Sequence, residues 1–432
     1  MTSGPHVLPT GSLHASVVDP LLDTMTFLNE ITSRYPEAVS FGPGRPFDEH
    51  FDVADISGWI DTYVRHLRDG GRSEDEVRRA LFQYGDTAGQ IRPLIADMLR
   101  VDEDISVGPE AIVVTTGCQE ALLVTLRALF AGPGDVLLVE NPCYVGVTGA
   151  ARLLDIPVVP VARTADGIDP AVLERTVREL AATGRRARAL YVVPDCANPS
   201  GESLPTAARQ ALLAAAERLD LLLLEDNPYG LFADEQLPTL KALDRGGRVV
   251  YLGSFAKSAF PGARVGYVVA DQRVRGAGRE GLLADELSRI KSMVSVNTSS
   301  LGQAAVAGML LTHGGGLREA NATAAKRYQE NMRVLRRALE REFPSADRER
   351  LGVAWNTPGS GFFLTVTVPF AADEAVLARS AREYDVIWTP MRYFYLDDRG
   401  DRMIRLACSY LTPERIELGI GRLARFIRDA AR

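Results

Sequence analysis

Apolar residues along the chain fall into two interleaved patterns. Short unbroken runs at residues 112–115, 136–139, 190–193, 221–224 and 249–252 have the length and the valine and leucine content of strands buried on both faces. Between them apolar positions recur at helical spacing, as at Leu122, Leu126 and Leu129. Strand and helix alternating from about residue 50 to 290 predict an α/β fold, with a mostly parallel, doubly wound sheet that binds its ligand at the carboxyl ends of the strands. The first 40 residues read as an arm followed by a short helix over residues 21–35. A long helix over residues 282–311 is expected to bridge two lobes. The last lobe opens on an amphipathic helix marked by Tyr328, Met332, Leu335, Leu339 and Phe343, and two strand-like stretches follow at 362–368 and 403–408. The expected division is an N-terminal arm (1–50), a large domain (51–290), and an interdomain helix with a small α+β domain (291–432).

Composition narrows the function classes. A chain of 432 residues with 46% hydrophobic content is long enough for two cores, and its net charge of −7 gives no footing for nucleic acid. Cys118, Cys143, Cys196 and Cys408 are scattered without metal spacing and suit a reducing, cytoplasmic setting. The five histidines lie outside every motif, so no metal site is expected, and no apolar span predicts a membrane segment.

Arginine supplies nearly all the positive charge, with only four lysines among 49 basic residues. Lys257 is one of them, within Ser254-Phe255-Ala256-Lys257-Ser258-Ala259-Phe260-Pro261-Gly262-Ala263-Arg264-Val265-Gly266. An amine that gives up its proton can form a Schiff base with an aldehyde, which a guanidinium cannot. Ser254 offers a hydroxyl and Arg264 a planar fork suited to phosphate. Ser-x-x-Lys by itself describes an ordinary strand end; the full spacing describes an aldehyde cofactor that also carries a phosphate. Pyridoxal 5'-phosphate fits that description and needs an acid at its ring nitrogen, which Asp226 supplies at the end of the apolar run 221–224. Tyr229 and Asn198, each just beyond a predicted strand, can donate to the phenolic oxygen, although Asn-Pro-x-Gly alone is equally a plain turn. Gly117, Cys118 and Gln119 open a helix after the strand 112–115, where free amides and the dipole attract an anion. Tyr144, after another strand, can stack on the cofactor ring.

Taken in order from about Phe41 to the C-terminus, these motifs resemble the fold-type I, class I/II aminotransferases. The closest branch is that of the 2-aminoadipate and aromatic aminotransferases. The matching segments include Gln83-Tyr84-Gly85, Pro358-Gly359-Ser360-Gly361-Phe362-Phe363 and Arg405-Leu406. The resemblance implies a pyridoxal-phosphate enzyme working by a ping-pong cycle, with Lys257 as the Schiff-base lysine and proton-transferring base, Asp226 as the ring-nitrogen partner and Tyr144 as the stacking ring. It implies that Ser254, Arg264 and the amides of Gly117 and Cys118 hold the phosphate, with Gln119 also at the cofactor. It also implies that Tyr84 reaches the phosphate from a neighbouring subunit, which makes a homodimer with a composite site, and that Arg405 clamps the substrate carboxylate beside Asn198 and Gly44. The arm would cap that site. Two segments depart from the family pattern: Pro43-Gly44-Arg45-Pro46 replaces Gly-Gly-Leu-Pro, and Pro390-Met391-Arg392-Tyr393-Phe394-Tyr395 replaces Pro-Gly-x-x-Phe. Arg45 and Arg392 can read a polar side chain, and Tyr393, Phe394 and Tyr395 an aromatic one. The nearest subgroup implied is the hydroxyphenylglycine and dihydroxyphenylglycine transaminases of peptide-antibiotic pathways. Alternatives that share the cofactor residues are an oxidase or cyclase acting on an arginine-derived amino acid and a ligand-binding regulator, the latter disfavoured by a short, weakly basic segment before Phe41.

Overall fold

A computed structural model describes residues 6–19, 22, 30–164, 166–276 and 278–432. Eight strands form the main sheet: β1 (Ile112–Thr115), β2 (Asp135–Asn141), β3 (Val158–Thr164), β4 (Gly167–Ile168), β5 (Arg186–Val192), β6 (Leu222–Asp226), β7 (Val249–Ser254) and β8 (Gly266–Val269). Their spatial order is β1-β8-β7-β6-β5-β2-β3-β4. The run from β7 to β3 is parallel, and β8 lies antiparallel between β1 and β7. Val250, Leu252, Leu224, Tyr191 and Leu137 point to one face and Val249, Leu223, Leu190 and Leu138 to the other, each face covered by helices in its own apolar cluster. That two-sided burial is why these strands read as unbroken apolar runs.

A second, antiparallel sheet is built from β9 (Ala354–Trp355), β10 (Phe363–Thr367), β11 (Thr389–Pro390) and β12 (Met403–Ala407) in the order β9-β10-β12-β11. Its core also takes in Val39 and Phe41 from the N-terminal segment, where Val39–Ser40 pairs in parallel with Val386–Ile387.

Two expectations require correction. The helix over 282–311 is two helices, Leu283–Val294 and Ser300–Thr312, interrupted at Val296, which adopts a left-handed φ of 65°, and restarted where the Ser299 hydroxyl accepts the amide of Gly302. Serine, threonine and asparagine in residues 295–300 favour caps over helix continuation. The element that passes between the lobes is instead Ala322–Glu342. Its Tyr328 packs on Phe232 and Phe362, while Met332, Leu335 and Leu339 enter the core of the second sheet. Most of the helix expected over 21–35 lies outside the described residues; residues 30–34 are helical.

Candidate active site

A cavity of about 320 Å³ opens at the carboxyl ends of β1, β2, β5, β6 and β7. Each strand end, or the turn after it, delivers one or two groups: Cys118 and Gln119 after β1, Tyr144 after β2, Asn198 after β5, Asp226 and Tyr229 at β6, Ser254 and Lys257 at β7. The opposite wall comes from elsewhere in the chain, through Gly44, Arg45, Phe363, Phe394 and Arg405.

Asp226 lies on the buried floor. Tyr191 Oη donates to its Oδ2 at 2.5 Å and Cys118 Sγ to its Oδ1 at 3.5 Å. Burial raises its pKa to about 6, against the opposing pull of these two donors. Lys257 sits in the one-turn helix Phe255–Ser258, whose start is capped by the Ser254 hydroxyl accepting the Ala256 amide. Its Nζ donates to the Gly44 carbonyl at 2.6 Å. Enclosure, followed by the charges of Arg405 and Arg264, depresses the amine to about 8.

Arg264 stands against the Gly117 turn, and no hydrogen bond or ion pair engages its guanidinium among the described residues. Gly117 has a φ of +72°, and a Cβ there would fall 2.5 Å from Arg264 Nη2, so the turn tolerates glycine alone. Helix α1 (Gly117–Leu129) begins at that turn, leaving its first amides without carbonyl partners of their own.

Arg405, on β12, is buried. It donates through Nη1 to Asn198 Oδ1 at 2.6 Å and through Nη2 to the Gly42 carbonyl at 2.7 Å. Its Nε is buried without a partner, and its guanidinium lies 4.6 Å from the Phe363 ring centroid and 4.8 Å from that of Phe394. Burial depresses its pKa, and nearby carboxylates are absent from its hydrogen bonds. The Gly44 position admits no side chain, because a Cβ would meet the Phe363 ring at 2.3 Å.

Four cationic side chains, Arg45, Lys257, Arg264 and Arg405, line the cavity against one acid, Asp226. Such a site attracts a ligand with at least two anionic groups. A reactive amine, a buried acid among aromatic walls, and a guanidinium without a partner beside a helix start fit an aromatic aldehyde phosphate on chemistry alone.

The structure brings together Lys257, Asp226, Tyr144, Asn198, Tyr229, Ser254, Arg264, Arg405, Gly44, Cys118 and Gln119 around this cavity. Tyr84 is not among its walls and is 84% exposed. The aromatic loop is corrected: only Phe394 faces the cavity. Tyr393 donates to Glu374 at 2.6 Å, Tyr395 turns to the sulfur of Met403, and Arg392 pairs with Asp401 at 3.3 Å. Arg45 stays at the rim, half-exposed, over the Tyr410 ring. Tyr191 escaped the sequence reading, because in a strand buried on both faces nothing marks which side chain meets Asp226.

Fold and cavity together define a fold-type I enzyme dependent on pyridoxal 5'-phosphate. The chain belongs to the aminotransferase class I and II family, whose model matches residues 64–423. It is 50% identical over 417 residues to the (S)-3,5-dihydroxyphenylglycine transaminase of Amycolatopsis orientalis, covering 96% of this chain and 94% of that one. A multiple substrate aminotransferase from Thermococcus profundus superposes with a TM-score of 0.81 at 26% identity, covering 97% of this chain and 98% of the other. The α-aminoadipate aminotransferase LysN of Thermus thermophilus, solved with N-(5'-phosphopyridoxyl)-L-leucine, gives 0.76 at 27% identity and covers 96% and 98%. The protein is therefore an aminotransferase, moving an amino group between an amino acid and a 2-oxo acid.

Proposed function

We propose that the amino acid is an aromatic L-amino acid of the hydroxyphenylglycine type, exchanged with a 2-oxo acid in a ping-pong cycle at Lys257. The observation that carries this reading is the setting of Arg405, a buried guanidinium, its Nε free, lying 4.6 and 4.8 Å from the ring centroids of Phe363 and Phe394. A carboxylate docked there places an aryl group on the α-carbon directly against apolar rings. The 50% identity to a dihydroxyphenylglycine transaminase supports the same substrate class; a part in peptide-antibiotic biosynthesis is the further role we propose.

In this reading pyridoxal phosphate, when bound, supplies the electron sink that lets an α-hydrogen leave as a proton. Arg405 binds the α-carboxylate and Asn198 orients it. The Lys257 amine, depressed to about 8, is partly neutral near pH 7 and takes the α-proton. Asp226, held by Tyr191 and Cys118, would pair with the ring nitrogen, Tyr144 would stack on the ring, and Asn198 and Tyr229 would donate to the phenolic oxygen. Ser254, Arg264 and the amides of residues 117–119 hold the phosphate. We assign the arm (1–50) the role of cap, the large domain (51–290), whose core also takes in Ala304, Val306, Ala307, Leu310 and Leu317, that of cofactor platform, and the small domain from Ala322 onward that of substrate wall. Exposed Phe82, Tyr84, Met293 and Leu301, with Ser300 bonded to the Gln83 carbonyl, support a homodimer in which Tyr84 completes the partner's phosphate site. Four unpaired cysteines accord with a cytoplasmic enzyme.

The test follows the visible band of the holoenzyme with hydroxyphenylglycines, 2-aminoadipate and alanine, each without oxo acid. Bleaching fastest with the arylglycines, and recovery on adding an oxo acid, is expected. Faster conversion of 2-aminoadipate or alanine would overturn the substrate assignment, and oxygen uptake without an oxo acid would overturn amino transfer.

A further inference from the structure

Lys291 is wholly buried on helix α2 (Leu283–Val294), which packs against α1, and it does not line the cavity. Its Nζ donates to Ser295 Oγ at 2.8 Å and lies 3.6 Å from Glu120 Oε2. Glu120 is itself buried in the first turn of α1. The same Oε2 accepts the amide of Thr116 at 2.6 Å, directly before the Gly117 turn, and Oε1 has no partner.

A carboxylate in the first turn satisfies one orphan amide and is favoured by the helix dipole. Here it also places a negative charge at the helix end whose residues Cys118 and Gln119 line the cavity with Arg264. An anion approaching that end meets a like charge, and burial removes most of the ionic screening that would weaken the repulsion. Lys291 reaches the carboxylate from a different helix and balances it without competing for the ligand.

We infer that Glu120 and Lys291 are a positioning pair for the cofactor phosphate. Glu120 holds the Thr116 amide and so the turn, and Lys291 cancels the charge that would otherwise oppose the phosphate. This rests on the proposed phosphate role of residues 117–119. An ion pair that only tied α2 to α1 would stabilise the fold without distinguishing one ligand from another.

The experiment titrates the apo-enzyme with pyridoxal 5'-phosphate and, separately, with pyridoxal, which has the aldehyde but no phosphate. Wild type failing to prefer the phosphorylated aldehyde would break the site reading itself, independently of this inference. K291M is expected to weaken pyridoxal phosphate roughly tenfold and pyridoxal by less than about threefold, since only the phosphate meets the uncompensated charge. Adding Glu120→Gln to K291M keeps an oxygen for the Thr116 amide while removing the charge, and should restore binding to within about threefold of wild type. Equal weakening of both aldehydes, or none, overturns the inference. Should K291M not fold, E120Q alone decides: the preference for the phosphorylated aldehyde rises if the pair acts on phosphate, and an unchanged or smaller preference overturns it.

Discussion

The floor and the outer wall of the cavity are fixed in different ways. On the floor, Asp226, Tyr191, Cys118, Asn198 and Lys257 come from β1, β5, β6 and β7 of the main sheet or the turns that follow them, and local chain geometry brings them to one edge. On the outer wall, Gly44, Arg45, Phe363, Phe394 and Arg405 come from an N-terminal segment and a second sheet, so each is placed by contacts across the molecule. Arg405 shows the extent, since its partners Asn198 and Gly42 lie 207 and 363 residues away in the chain. Under the proposed roles, the floor carries the chemistry common to every substrate and the wall the choice between substrates. The difference also predicts that changes to the floor abolish reaction with every substrate, while changes to the wall sort one substrate from another, Arg405 excepted because the α-carboxylate it would bind is common to every amino acid.

The most severe break comes from Lys257→Ala, which should lower the rate of the amino-acid half-reaction by roughly 10⁴-fold or more for all substrates, measured by stopped-flow absorbance. Arg405→Gln should cost about a hundredfold or more in kcat/KM for every amino acid while leaving pyridoxal phosphate affinity in place, because a buried carboxylate partner is lost. The same variant tests how the two regions are coupled. In the apo-enzyme the depressed amine of Lys257 should become reactive toward pyridoxal as pH rises through about 8, below the ordinary lysine range. Losing the Arg405 charge, one of the causes of that depression, should move the midpoint upward when adducts are trapped with borohydride across pH. A midpoint that stays put would show that floor and wall are electrostatically separate. Phe394→Ala should lower kcat/KM for arylglycines by about tenfold and for alanine by much less, in keeping with loss of one aromatic contact. The smallest effect belongs to Arg392→Ala. It faces Asp401 rather than the cavity and should change kcat/KM by less than about twofold, as expected of an exposed ion pair.

Helix boundaries repeat the contrast. The strand runs at 112–115 and 249–252 fall within β1 and β7, while the single helix expected over 282–311 divides at Val296. Apolar periodicity continues across the break, and only the polar residues 295–300 and their caps interrupt it.

The chemistry-bearing residues of the floor were legible in the sequence because each directly follows an apolar run, and a strand in a parallel sheet exports whatever follows its carboxyl end to the ligand edge. Lys257, Asp226, Tyr144 and Asn198 therefore needed no knowledge of their neighbours. Tertiary structure alone decided that Tyr191 meets Asp226, that Arg405 lies against the rings of Phe363 and Phe394, and that Phe394 turns inward while Tyr393 and Tyr395 turn away. Those choices depend on strand register and on packing between segments hundreds of residues apart, which the local order of hydrophobic and polar positions does not encode.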